Sequence, residues 1–438
     1  MFPSADYGMK ICQGLGPTFF GTLSDHYGRR PAYLMCFVIY IGANIGLALQ
    51  SSYSALVVLR CLQSTGASST VTLASASVAD IITRAERGKF MGYASMGVTL
   101  GPSLGPVIGG ILDHFLGWRS IFWFLTIMCS VLLVVLVVYF PETSRSVVGN
   151  GSIAPQRWNT TIHDVLRLRE RRKLNVGLIE EPRSLTPRKR RPSPWDAIRI
   201  AGNKEDGIIL LCGSLLYAGF FGILSSLPSR LQAEYNFNSL QVGLCYIPYG
   251  TGSLTSRWTS GSLLDWNFRR HARKRGIPII KNRQQQLRHF PIEHARLEVI
   301  LPFVLAAAFS MLAYGWVMNY HANLAGPLIM LFFTAHFGTG AVSGLGTIIV
   351  DINIKSPGTA VAANQLCRCI FAAGSVAAAV PVIDRIGMGW TGTCIAGIWV
   401  ACSPMLWAIM KWGEKWREEK EAMSEREENH ESRPEVQT

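Results

Sequence analysis

The chain has 438 residues, 49% of them hydrophobic and only 16% charged, and carries a formal net charge of +14. With a positive mean hydropathy, that balance is too apolar for a soluble protein of two or three domains and points to the membrane class. The basic residues cluster between long apolar segments and come without a zinc-finger or RNP motif, which argues against nucleic acid as a partner.

A helix needs roughly 20 mostly apolar residues to cross the bilayer core. Segments of that kind lie at about 3–20, 31–50, 54–79, 90–112, 118–140, 207–230, 239–264, 299–319, 324–349, 358–383 and 389–412. The expectation is therefore an all-α integral membrane protein of eleven transmembrane helices. Lys10, Arg60, Arg257 and Arg368 fall within these segments, where a charge must face the bundle interior. Ten cysteines lie mostly singly inside apolar stretches, as Cys36, Cys61, Cys129 and Cys212 do, and read as small buried hydrophobes. No cleavable signal peptide is apparent at the N-terminus.

Lysine and arginine fall in alternate connections: Arg29 and Arg30, then Arg84, Arg87 and Lys89, then residues 141–206, 265–298 and the tail. Positive charge marks that side as cytoplasmic, together with the C-terminus. The glycosylation patterns at Asn150 and Asn159 fall on the same side and are expected to stay unmodified. The organisation expected is an N-terminal transmembrane half (1–140), a basic linker (141–206), a C-terminal half (207–412) with a loop at 265–298, and a charged tail (413–438). The linker's runs RLRERRKLNVGL and LTPRKRRPSPW read as a solvated tether, or as a patch for anionic lipid or a regulatory signal.

GTLSDHYGRR at Gly21–Arg30 reappears in outline as GSLLDWNFRR at Gly261–Arg270. Each copy ends a span and precedes a basic connection, the mark of a duplicated half. The first copy resembles the loop between helices 2 and 3 of the major facilitator superfamily, G-x-L-x-D-x-x-G-R-R/K. In the second, Phe268 stands where Gly28 did. RCLQSTGASS resembles the family's helix 4 motif through Arg60 and Gln63. GVTLGPSLGPVIGGIL resembles the helix 5 motif of its antiporter subgroup. LLDWNFRRHARKRGIP, FPIEHARLE and YGW together resemble the fungal twelve-helix drug:proton antiporters. Measured against that family the spans correspond to helices 2 to 12, so the first helix is expected to be missing.

The resemblance implies the major facilitator fold of two pseudo-symmetric helical halves working by alternating access. It implies a conformational clasp of Gly21, Asp25, Gly28, Arg29 and Arg30 with Asp80, weakened in the second half at Gly261, Asp265, Arg269 and Arg270. Physical chemistry supports the clasp, since a carboxylate beside two guanidinium groups stays ionised and locks loop to helix. Gly101, Gly105 and Gly109 recur at four-residue spacing on one helix face, with Gly110 beside them and Pro102 and Pro106 one step round, a pattern that permits close helix approach or a leak-limiting bend.

For proton coupling and the pathway the candidates are Arg60, Gln63, His336 and Arg368. Each is equally readable as a polar group paired inside the bundle. Lys10 is expected to pair with Asp6 one turn earlier. Tyr217, Phe220 and Phe221 offer aromatic surface to a lipophilic or cationic substrate. The expected function is proton-coupled export of small lipophilic or cationic compounds across the plasma membrane by a monomer. Nutrient or polyamine uptake, a non-transporting sensor and a truncated inactive form are the alternatives. No enzyme activity, cofactor or metal is expected, because the chain holds no P-loop, G-x-S-x-G elbow or H-E-x-x-H pattern. Its partners are then a small-molecule substrate, protons and the lipid bilayer, with energy drawn from gradients.

Overall fold

The computed structural model describes residues 3–81, 96–148, 159, 200–276, 291–320, 323–353 and 357–431, and no strand occurs among them. The helices are α1 (Pro3–Tyr27), α2 (Arg29–Leu49), α3 (Tyr53–Ile81), α4 (Met96–Leu116), α5 (Arg119–Tyr139), the single turn α6 (Arg145–Val148), α7 (Lys204–Tyr235), the short α8 (Ser239–Leu244), α9 (Ile247–Lys274), α10 (Ile292–Asn319), α11 (Ala325–Ile352) and α12 (Pro357–Glu431). Among them α2, α5, α7, α10, α11 and α12 are long and apolar enough to cross a membrane on length and composition alone.

Hydroxyl side chains inside the spans satisfy themselves on their own helices. Thr65, Ser69, Thr126 and Thr334 each donate to the carbonyl four residues back, which lets polar residues sit in hydrocarbon at little cost. Large apolar residues stay exposed along α5, among them Ile127, Val131 and Val134, as expected of a lipid-facing surface.

One of two compact units comprises Met1–Pro194 with Phe221–Gly250 and Cys369–Pro381. Its centre is a cluster of Phe20, Ala32, Tyr33, Cys36 and Leu73, with Leu136 and Phe140 packed against it, so α1, α2, α3 and α5 share one interior. Leu47, Ala48 and Phe122 form a second cluster nearer the far end of α2. Between apolar tails such contacts gain dispersion rather than hydrophobic energy, so fit matters more than area. α8 begins with a reciprocal capping box, Asn238 accepting from the Gln241 amide and Gln241 accepting from the Asn238 amide.

The other unit comprises Trp195–Phe220, Thr251–Arg368 and Val382–Thr438. Trp399 and Tyr314 are its largest fully buried side chains, and the Trp399 indole donates to the Leu215 carbonyl at 3.3 Å. α10 meets the second segment of α12 where Gly315 and Gly392 touch, a Cβ on either falling 3.0 Å from the other's Cα. The connection expected between the spans at 358–383 and 389–412 is a tight break at Gly387, where φ is +81° and two helical segments meet within α12. The helix also runs on past the last span to Glu431. In that extension Arg417 is buried and pairs with the buried Glu293 at 2.9 Å, while Glu414 lies 3.7 Å from Arg275. The beginning of the charged tail is thus packed against α10.

Candidate functional site

The first decapeptide copy is built as a turn between α1 and α2 at Gly28, whose φ is +107° and whose amide donates back to the Ser24 carbonyl at 3.0 Å. Arg29 then reaches α3: its Nε donates to Asp80 Oδ2 at 2.8 Å and its Nη1 to Ser24 Oγ at 2.6 Å, with both charged groups mostly buried. Arg30 turns the other way and donates through Nη2 to the Val137 carbonyl at the end of α5. The Asp25 side chain lies outside the described ones, as do Arg84, Arg87, Lys89 and Asn150. A Cβ on Gly21 would meet open space.

Sequence reasoning missed Glu142, which organises the whole turn. Its carboxylate accepts the amides of Arg29 and Arg30, at 2.8 and 3.2 Å, and those of Thr143 and Ser144 at 3.0 and 2.9 Å. Asn159 adds its side-chain amide at 2.7 Å. A helix start presents unpaired N–H groups and partial positive charge, and Glu142 supplies both acceptor and counter-charge from 112 and 113 residues away. The one available signal was a lone acid just past the end of a span. Asn159 is 2% exposed, a burial that suits the expectation that it carries no glycan.

The second copy behaves differently. Without a glycine at 268, α9 continues unbroken through Arg269 and Arg270 to Lys274. Asp265 faces Arg296 of α10 at 3.5 Å, and Arg296 also reaches Asp351 at the end of α11 at 3.3 Å. Asp351 therefore stands to Arg296 as Asp80 stands to Arg29, with the guanidinium supplied by the next helix rather than by the repeat. Arg269 and Arg270 line a recess of about 690 Å³ with Trp266, Arg273 and Lys274. A Cβ on Gly261 would likewise meet open space.

In α4 the close packing lies on another face than the glycine spacing suggests. Gly101 and Gly105 have open space beside them, and Gly109 meets only Ile121 at 3.9 Å. The tight contact is made by Ser103, Pro106 and Gly110. A Cβ on Gly110 would collide with the Ser239 carbonyl, one on Gly243 would lie 2.5 Å from the Pro106 carbonyl, and one on Gly250 would collide with Ser103. Asp113 accepts a short hydrogen bond from Ser239 beside it. Pro102 and Pro106 lie within one uninterrupted helix. The expectation that Gly101, Gly105 and Gly109 form the approach face is corrected: the partner, α8 with the start of α9, meets the helix one position round.

The charges inside the spans sit as follows. Lys10 is buried with its ammonium 3.9 Å from the centre of the Phe221 ring, and the side chain of its expected partner Asp6 lies outside the described ones. Arg60 bonds Gln63 at 3.1 Å, Gln63 bonds Asn44 at 2.7 Å, and the Arg60 guanidinium lies 5.1 Å from the Phe122 ring. Arg368 donates to the Val342 carbonyl at 2.8 Å and faces the Tyr217 ring at 5.8 Å. His336 is held between Thr255 at 2.9 Å and Thr259 at 3.2 Å, with Phe303 and Phe332 stacked on its ring. Phe220 is buried.

At the other end of α10, just before its apolar stretch, His294 and Glu298 share a face and meet His271 of α9. His271 Nε2 lies 2.7 Å from Glu298 Oε2, and the buried Asn267 donates to the same oxygen at 2.9 Å. These two hydrogen bonds hold the Glu298 carboxyl below its usual range.

The family description of the Major Facilitator Superfamily matches residues 8–376. The chain is 43% identical over 408 residues to the MFS-type transporter R5 of Phoma sp., covering 93% of this chain and 77% of that one. It is 32% identical over 424 residues to citrate exporter 1 of Aspergillus niger, covering 94% and 78%. Among solved structures it resembles the xylose transporter XylE from E. coli in a partially occluded inward-open conformation, with TM-score 0.61, 14% identity, and coverage of 93% and 86%.

Proposed function

Because the chain belongs to the major facilitator superfamily, and is therefore a multi-pass membrane transporter of small molecules, we propose that it exports small organic acids in exchange for protons. The observation that carries the substrate class is the sign of the charge within the spans: Lys10, Arg60 and Arg368 place fixed cations there. A charge at that depth is costly and is kept where it meets something. The relative from Aspergillus niger is a citrate exporter, a tricarboxylate carrier, which agrees with that sign. A lipophilic cation fits less well. The aromatic faces it would need, Tyr217 and Phe221, already lie against Arg368 and Lys10.

Export from the cytoplasm across the plasma membrane, a cytoplasmic C-terminus and a monomeric state complete the reading. Two helical halves, 1–140 and 207–412, joined by the basic linker would rock about the pathway. The Arg29–Asp80 clasp would brace one state on the cytoplasmic side, and the α4–α8 seam would close the opposite side. His336 of α11, held between two threonines of α9, is the candidate for proton movement.

The test is flux in proteoliposomes containing the full chain, with an imposed pH gradient and a labelled tricarboxylate set beside a labelled lipophilic cation. The acid should move and the movement should stop when a protonophore collapses the gradient. Arg368→Gln should lower acid flux at least tenfold, about 1.4 kcal/mol or more of lost interaction, while Arg368→Lys keeps part of it. Transport of the cation in preference to the acid would overturn the substrate class.

A further inference from the structure

We infer that His271, His294 and Glu298 form a binding site for a divalent transition metal of the zinc type, which staples α9 to α10. Among the described residues they are the group of metal-ligating side chains whose ligand atoms converge, all within 4.8 Å of one another. Tetrahedral zinc with nitrogen and oxygen ligands at 2.0–2.1 Å places those ligands about 3.3 Å apart. His271 Nε2 and Glu298 Oε2 stand 2.7 Å apart, and no two of the ligand atoms are more than 4.8 Å apart.

Two further features fit a metal centre rather than a chance meeting. His294 and Glu298 stand four residues apart on α10 and so present their ligand atoms from one face, while His271 comes from the neighbouring helix. Asn267, 1% exposed, bonds both the Ala295 carbonyl and Glu298 Oε2, and so orients the carboxylate as the outer partners of metal ligands do. Two neutral imidazoles and one carboxylate suit zinc, cobalt or nickel and leave a fourth position open to water. Arg270, 3.9 Å from Glu298 Oε1, competes for the carboxylate and keeps the affinity modest. The site lies away from Arg368 and His336 in sequence and contact, so its occupancy bears on the stability of the α9–α10 junction and not on the substrate proposed above.

The experiment uses the full chain, purified in detergent with its affinity tag removed and stripped with chelator. Cobalt(II) should give the intense visible absorption of a four-coordinate site at one equivalent, and zinc should abolish it by displacement. Zinc should also raise the thermal unfolding midpoint of the wild type. His294→Gln should unfold at the metal-free wild-type temperature, bind cobalt at least tenfold more weakly and gain nothing from zinc. His271→Gln should do the same. An equal zinc-induced shift in the wild type and in both variants, or no cobalt spectrum in the wild type, would overturn the site. Should either variant fail to fold, Glu298→Gln read by the same cobalt titration decides, with retained wild-type affinity counting against the proposal.

Discussion

At Gly28 the backbone takes φ +107°, and the space a Cβ would need is filled by the Glu142 carboxylate. Two separate reasons therefore demand glycine, and neither involves the arginines that make the decapeptide conspicuous. Gly28→Ala should lower thermal stability by about 1–3 kcal/mol from backbone strain before the collision with Glu142 is counted. Glu142→Ala uncovers the first amides of α2 and should cost about 1–3 kcal/mol for the unsatisfied donors. Both are read as shifts of the unfolding midpoint in detergent. A Glu142→Ala protein as stable as the wild type would show that water replaces the cap. Arg29, Asp80 and Gly28 were legible because the repeat and the family resemblance marked their places. Glu142 was not, because its partners lie 112 and 113 residues away and are main-chain atoms.

The elements differ from their sequence reading where a partner decides the face. α4 has glycines at 101, 105 and 109, which invite the view that this stripe packs, yet the contact runs through Ser103, Pro106 and Gly110. Gly110→Leu and Gly243→Leu should each abolish surface expression or transport, since backbone stands where the side chain would go. Gly105→Leu should leave both nearly unchanged, and surface biotinylation with flux separates the cases. The opposite pattern would restore the 101/105/109 face. α12 gives the second instance. Its charged extension carries Arg417, which is buried against Glu293. Arg417→Ala leaves a buried carboxylate without that partner and should destabilise by about 3–5 kcal/mol, whereas the double change to Arg417→Met with Glu293→Leu should recover much of the loss. Unfolding midpoints of the two variants settle it.

On the scale of the whole molecule, the clasp and the transport reading make one joint prediction. Asp80→Asn removes the charged partner of Arg29 without emptying its place, and should change the balance of conformers rather than the affinity for substrate. Accessibility of an engineered cysteine near the α1–α2 turn should rise while the concentration dependence of flux stays within about threefold. A change confined to affinity would remove the clasp from the mechanism. The membrane class, the helical fold and the superfamily were all readable from the chain alone. Hydrocarbon admits few backbone solutions, and a span must therefore be long and apolar whatever it packs against. Which side of each helix packs, which acid caps α2, how the second repeat recruits Arg296 in place of its own arginines, and the meeting of His271, His294 and Glu298 were decided only by tertiary structure. Those features depend on atoms brought together from distant parts of the chain, and local periodicity carries no record of the partner.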